Sequence, residues 1–185
     1  MTHLRVNGDR LTQSVVLDDY YKMLPVAASN IIIAYPFFYV VEDVIVRQEC
    51  NTWPILVNLL VWFCTTDLLF YTVHRMLHTK YLYFIHAVHH EFKYTYGIGS
   101  IYAHPIEFYM ANLGPVAVPL IVFCVPLQLC DFIVLFSTFY TVIVSHGGFK
   151  LKISSGHLYH HLKYKYNFGL FKMDKVFGTR YTGLE

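Results

Sequence analysis

The sequence predicts an all-α integral membrane protein of about four transmembrane helices, carrying a helical, histidine-rich cap on one side. Three observations lead there: an apolar composition with few charges, apolar stretches of membrane-spanning length, and basic residues and histidines gathered on segments that would share one face. Of 185 residues, 56% are hydrophobic and only 14% are charged, with a mean hydropathy of +0.42. A soluble domain carries about 25% charged residues. The bilayer, not water, is the expected solvent, and disordered, coiled-coil and nucleic-acid-binding chains are excluded. The length suits one domain, residues 1–185, and no repeat or linker divides it.

Residues 1–22 are polar, ending in Asp18, Asp19 and Lys22, which predicts no removable secretory signal. The first span runs from Pro25 to Val41 and is closed by Glu42 and Asp43. The second runs from Pro54 to Val73, with Asn58 and Asp67 as polar exceptions. The stretch from Ile106 to Ser145 has only Glu107 and Asp131 as charges. As one helix it would be roughly 60 Å long, against a bilayer core of about 30 Å. Pro115, Pro119 and Pro126, followed by Gln128 and Asp131, supply breakers near its middle, so a hairpin of two spans is expected. Arg5, Arg10 and Lys22 precede the first span; Arg75, Lys80 and Lys93 follow the second; Lys150, Lys152, Lys163, Lys165, Lys172, Lys175 and Arg180 follow the fourth. Only Arg47 lies between the first two spans. The positive-inside rule then predicts that both termini and the 74–105 segment are cytoplasmic. Cys50, Cys64, Cys124 and Cys130 form no CxxC pair and read as buried apolar side chains. The excess of Tyr and Phe reads as interfacial belt and lipid-facing packing.

Histidine is the outlier: ten of 11 lie after residue 73, and His3 has no assigned role. They fall in His74-Arg-Met-Leu-His78, His86-Ala-Val-His89-His90 and His157-Leu-Tyr-His160-His161. Residues three and four apart share a helix face, so each box presents two or three imidazoles to one point. His146 lies where the hairpin returns to the cytoplasmic side, and His104, a further candidate ligand, where it leaves. Eight box histidines and His146 are too many for one ion and enough for two. Imidazole suits zinc, copper, iron and nickel, so the ligands do not choose among them. His90-Glu91-Phe92-Lys93-Tyr94 lacks the second histidine of a HExxH protease, and the Glu-x-x-His pairs of soluble di-iron bundles are missing.

Three carboxylates accompany the boxes. Asp67 lies two turns before His74 on the same face and reads as an acceptor that orients a ligand imidazole. Glu91 and Glu107 flank histidines and read either as similar acceptors or as solvated helix ends. Asn167 and Asp174 are expected to fix the C-terminal segment, and Gly97-Ile-Gly99-Ser reads as a turn rather than a dinucleotide loop.

Across residues 67–180 these motifs resemble the fatty acid hydroxylase/sterol desaturase superfamily of membrane histidine-box di-iron oxidases. The likeness is strongest to its C4-methylsterol oxidase branch. It rests on His74-Arg75-x-x-His78, on Leu82-Tyr83-Phe84-Ile85-His86-Ala87-Val88-His89-His90-Glu91-Phe92, and on Tyr102-Ala103-His104-Pro105-x-Glu107. His146-x-Gly148 and Asp174-Lys175-x-Phe177-Gly178-Thr179 complete it. The resemblance implies two iron ions on the box histidines, with zinc accepted as a substitute, and dioxygen as co-substrate. It further implies NADH-derived electrons through cytochrome b5 and its reductase, a multi-pass place in the endoplasmic reticulum, and oxidation of a sterol or related lipid. C5-sterol desaturation and fatty-acyl hydroxylation are alternatives on the same centre. A metal-binding membrane protein is the alternative of another class. The segment before the first box and the 146–157 loop are both shorter than the family usually has, which leaves an inactive lipid-binding relative as a third.

Overall fold

The computed structural model describes the backbone of residues 3–6, 9–92, 95–147 and 155–181, with side chains from residue 16 onward, Ser155 excepted. The side chains of His3, Arg5 and Arg10 fall outside it, as do Lys93, Gly148, Lys150, Lys152 and most of the short 146–157 loop.

Among the described residues, four helices are long and apolar enough to cross a membrane: Val16–Val46, Ile55–Leu77, Pro105–Val122 and Leu127–Ser145. Beside them stands one small departure from an all-helical chain, an antiparallel pair of strands β1 (His3–Val6) and β2 (Asp9–Thr12). Helix α1 (Gln13–Val46) is twice as long as the span expected, because it includes the polar turns around Asp18, Asp19 and Lys22. Its 34 residues extend about 51 Å, so it stands well clear of the hydrocarbon at one end. Helix α2 (Ile55–Leu77) returns, and the loop between them is closed by an amide pair. Asn51 Nδ2 donates to Asn58 Oδ1 at 2.9 Å and to Phe123 O at 2.5 Å, and Asn58 Nδ2 donates to Trp53 O at 3.1 Å. Asn58, polar inside an apolar run, thus staples the two loops at the end of the bundle away from the histidines.

The Ile106–Ser145 stretch does fold back, but only Pro126 marks the break. Helices α3 (Tyr83–His86) and α4 (Pro105–Glu107) are single turns, the second continuing through a π-helical turn Phe108–Leu113 into α5 (Gly114–Val122). Pro115 opens α5 and Pro119 lies within it; local π adjustment and neighbouring side chains absorb their missing N–H groups, as in other membrane helices. Thr66 Oγ1 donates to Pro115 O at 2.9 Å and ties α2 to this point. The chain reverses at Cys124, in the left-handed region at φ +48°, and Pro126 caps α6 (Leu127–Phe139), which ends in a second π-helical turn, Tyr140–Ser145.

An apolar core of Val41, Ile45, Trp62, Ala117, Leu120 and Ile133 holds the spans together away from the histidine end. Outward, Tyr35, Leu56 and Leu135 are each more than 70% exposed, the surface a bilayer would cover. Cys130 is buried as expected. Cys50 and Cys64 are exposed instead, one in the loop after α1 and one on an outer face of α2, and all four thiols are free. Buried Asn30 of α1 donates to Ile101 O and Ala103 O, both at 2.9 Å, holding the 97–103 segment against the bundle. In that segment Gly97–Ile101 is a short 3₁₀ turn. The chain ends in α7 (Ser155–Lys163) and α8 (Met173–Val176), which close over the ends of α2 and the fourth span.

Candidate metal centre

The last turn of α2 presents His74 and leads to His78 at its C-cap. The turn around α3 carries His86, His89 and His90, the end of the fourth span carries His146, and α7 carries His157, His160 and His161. The fold sorts these nine into two groups that could each hold a metal ion: His74, His78, His86, His90 and His160, and His89, His146, His157 and His161. Within each group the ligand atoms lie within 4.8 Å of one another.

The inward atoms are Nε2. His74 Nε2 is 3.1 Å from His86 Nε2, and His160 Nε2 is 2.9 Å from His78 Nε2 and 3.1 Å from His90 Nε2. In the second group His146 Nε2 is 3.4 Å from His89 Nε2 and 3.1 Å from His157 Nε2, which is 3.2 Å from His161 Nε2. Two nitrogens each about 2.1 Å from one ion stand about 3.0 Å apart at a right angle and about 3.4 Å at the tetrahedral angle. The spacing is that of a coordination sphere.

The outward nitrogens decide the tautomers. His74 Nδ1 meets Phe168 O at 2.7 Å, His160 Nδ1 meets Tyr166 O at 2.7 Å, His89 Nδ1 meets Tyr102 O at 3.1 Å, and His146 Nδ1 meets Thr141 O at 3.0 Å. A carbonyl only accepts, so each Nδ1 carries the proton, and a neutral imidazole then has a bare lone pair at Nε2. His89 and His146 therefore face each other lone pair to lone pair. So do His74 and His86, because His86 Nδ1 donates to Glu107 Oε1 at 2.5 Å. Such contacts are repulsive unless a cation lies between them, and the donor set fits one. Burial, reinforced by neighbouring imidazoles, drives the pKa of His78 down to about 4 and that of His146 to about 3. Burial also lowers His89 to about 4 and pushes His86 and His90 far below the ordinary histidine value. Neutral imidazole is the form that binds metal.

The other site residues read from sequence lie elsewhere. His104 belongs to neither group; its Nδ1 accepts from Ile106 N–H at 3.2 Å and caps α4. Glu91 is exposed and accepts from Tyr102 Oη at 2.5 Å, so it touches no imidazole. Of the two glutamates it is Glu107 that meets a histidine. Asp67 also contacts no imidazole. Its Oδ1 accepts from Leu170 N–H at 2.9 Å and Phe171 N–H at 3.1 Å, and its Oδ2 from Lys172 N–H at 2.7 Å and Met173 N–H at 3.1 Å. Asp174 accepts from Phe168 N–H and Gly169 N–H, both at 2.7 Å, and from Thr179 Oγ1. These two carboxylates clamp the 168–173 turn, whose Phe168 carbonyl holds His74. Asn167, at φ +59°, accepts from Tyr181 N–H and sets the start of that turn. The carbonyls of Tyr102, Thr141, Tyr166 and Phe168 carry no signal in the sequence, because every residue has one.

Below the histidines lies a cavity of about 300 Å³. Its wall is mainly apolar, with Ile31, Phe38, Trp62, Phe70, Phe108 and Phe171, and it reaches His74, His86, His89, His146 and His157. A second, more open cleft is lined by the half-buried His78 together with Arg75, Tyr83, Tyr164, Lys165 and Thr179.

Comparison with known proteins places this geometry. The chain is 33% identical over 156 residues to human fatty acid hydroxylase domain-containing protein 2, covering 80% of this chain and 46% of that one. It is 34% identical over 116 residues to fatty acid hydroxylase ahd1 of Mycosarcoma maydis, covering 57% and 30%. It is 41% identical over 63 residues to methylsterol monooxygenase 2-1 of Arabidopsis thaliana, covering 34% and 23%. The chain thus spans less than half the length of these relatives, and no solved structure matches it. The fatty acid hydroxylase family model matches residues 59–179, from the second turn of α2 through both metal groups to Thr179, and the chain belongs to that family.

Proposed function

We propose that this chain is a membrane di-iron oxidase that uses dioxygen and external electrons to oxidise a sterol or related lipid, in the manner of C4-methylsterol oxidases. One observation carries the reading: two groups of inward-facing imidazole Nε2 atoms at the head of an apolar cavity among membrane helices. His74, His78, His86, His90 and His160 would hold one iron and His89, His146, His157 and His161 the other. Bound there, the pair supplies the oxygen activation needed to attack an unactivated C–H bond, chemistry that no side chain provides. The chain's own residues do the rest. Glu107 and the carbonyls of Phe168, Tyr166, Tyr102 and Thr141 fix the imidazole tautomers. Trp62, Phe70, Phe108 and Phe171 hold the lipid and keep water from the reacting carbon. Arg75 and Lys165, bordering the cleft over His78, suit an acidic electron donor such as cytochrome b5 served by an NADH-dependent reductase. The basic asymmetry of the sequence supports cytoplasmic termini, and the resemblance to the superfamily supports an endoplasmic reticulum membrane.

Fatty-acyl hydroxylation is the second reading, favoured by the longer stretch shared with proteins named as fatty acid hydroxylases. The test is to incubate membranes containing the chain with 4,4-dimethylsterol, NADH, dioxygen and donor, and to profile the lipids. The proposal expects 4-hydroxymethyl or 4-carboxy sterol. A C5 double bond would point to the desaturase, and hydroxyacyl lipid to the second reading. No oxidised lipid, with both metals bound, would overturn the oxidase assignment.

A further inference from the structure

The wall of the cavity below the histidines is not sealed equally on all sides. Every lining side chain from α2, α5, the 97–103 segment and the 168–173 turn is buried or half-buried. Three lining side chains are exposed: Ile31 of α1, at 57%, and Phe136 and Thr138 of the fourth span. The fourth span stands between α2 and α1, and its two seams differ. Toward α2 the seam is packed with rings. Phe136 meets Trp62 edge-on at 6.4 Å, Phe171 lies 4.9 Å from Tyr140 and stacks on Phe63 at 3.9 Å, and Tyr140 Oη donates to Leu170 O at 3.1 Å. Toward α1 no hydrogen bond or ring contact crosses the seam among the described residues. That seam is closed at its two ends. Away from the histidines, Val41 and Ile45 share a core with Cys130 and Ile133. At the histidine end the 97–103 segment fills it. Asn30 holds Ile101 O and Ala103 O there, and Gly97 lies so close to the fourth span that a Cβ would stand 3.1 Å from Val142 O. Between these closures Ile31, Ala34 and Phe38 line the cavity from α1, and Val134 and Thr138 from the fourth span. The gap runs for about 10 Å along α1.

We infer that lipid enters the cavity sideways from the bilayer, through a window between α1 and the fourth span whose rim carries Ile31 and Thr138. The inference rests on the lipid occupant that the proposed function gives this cavity, and not on the oxidation. Thr138 lies seven residues before Ser145, the end of the span, and so about 10 Å inside it. The window therefore opens on the hydrocarbon layer rather than on water. Its rim is apolar in effect, because Thr138 Oγ1 already donates to Val134 O at 2.9 Å. An apolar lipid body passes such a rim without stripping water or breaking a hydrogen bond. Neither rim residue belongs to a histidine group, so filling the window slows entry and leaves the metals in place.

The experiment uses the metal-loaded full chain in lipid nanodiscs, with Trp53→Phe so that Trp62 in the cavity wall is the only tryptophan. The native cysteines are replaced by alanine, and Thr138→Cys is tagged with a benzyl group through a disulfide. Leu135→Cys, on the exposed outer face of the same span and outside the cavity wall, carries the same tag as the control. A brominated long-chain fatty acid or a brominated sterol is mixed in, and the onset of bromine quenching of Trp62 is followed by stopped flow. The tag at position 138 is expected to slow the onset about tenfold or more, and cleaving the disulfide with a reductant to restore it. The tag at position 135 is expected to leave it unchanged, with metal content equal throughout by elemental analysis. An unchanged onset at 138, or equal slowing at both positions, would overturn the window and leave the oxidase reading standing. No quenching by either probe in the untagged protein would overturn both the window and the lipid occupant of the cavity. Should the cysteine-free protein fail to fold, Thr138→Phe against Leu135→Phe in the native cysteine background makes the same comparison.

Discussion

Replacing Asp67 by Asn tests how the protein holds its metal ligands from a distance. The Asp67 side chain is 1% exposed and accepts four backbone N–H groups between 2.7 and 3.1 Å. An Asn keeps one oxygen for two of those donors and sets an NH₂ group against the other two. At about 1.5–3 kcal/mol for each hydrogen bond to a charged acceptor, losing two costs about 3–6 kcal/mol. That is a large share of the 5–15 kcal/mol typical of a folded domain. The loss falls on the 170–173 turn, and its release frees the Phe168 carbonyl that fixes the His74 tautomer at 2.7 Å. Removing a partner that orients a metal ligand lowers metal affinity about 10- to 100-fold. Thermal unfolding of the purified protein in detergent, with chelator titration of the bound metal, reads both effects. A fall of about 6–24 °C in Tm, with weaker binding at one metal and the other unchanged, is expected. A variant with wild-type Tm and metal affinity would refute the clamp.

His104→Ala should retain both metals in elemental analysis and lose only about 1 kcal/mol of stability, because His104 caps a helix and lies outside both groups. The metal-free protein should lose stability in acid. His78, His89 and His146 have folded pKa values depressed to about 4, about 4 and about 3, so the unfolded chain binds more protons between there and about 6.5. Stability is then full above about pH 6.5 and drops as pH falls toward 4, which a pH series of melting curves would check; a flat profile would contradict the burial of neutral imidazoles. In a cysteine-free background, Lys165→Cys should be labelled from the cytoplasmic side and Arg47→Cys only from the lumenal side. The reverse pattern would overturn the orientation.

The long-range design was legible because membranes and metals both write periodic signals. Hydropathy marked the four spans, and i, i+3 and i+4 spacing marked eight of the nine histidines. Less legible was anything that depends on backbone carbonyl and N–H groups. The alternation of Asp67 and Asp174 around the 168–173 turn has no pattern, since the partners are peptide N–H groups. For the same reason Asp67 looked like a partner of His74: both lie on one face of α2, but the turn comes between them. Glu91 and Glu107 were equivalent in sequence, each beside histidines. Packing separates them, leaving Glu91 at the surface with Tyr102 and burying Glu107 against His86. Pro115 and Pro119 looked like breakers because a π-helical turn ahead of a proline leaves no mark in the hydropathy.

The account stands most directly on the number of metal ions. Elemental analysis of iron-reconstituted protein should give two equivalents per chain, one for each histidine group. The double variant His89→Ala with His160→Ala removes one ligand from each group and should retain markedly less of both. One equivalent in the wild type, or two still bound in the double variant, would contradict a dinuclear histidine centre.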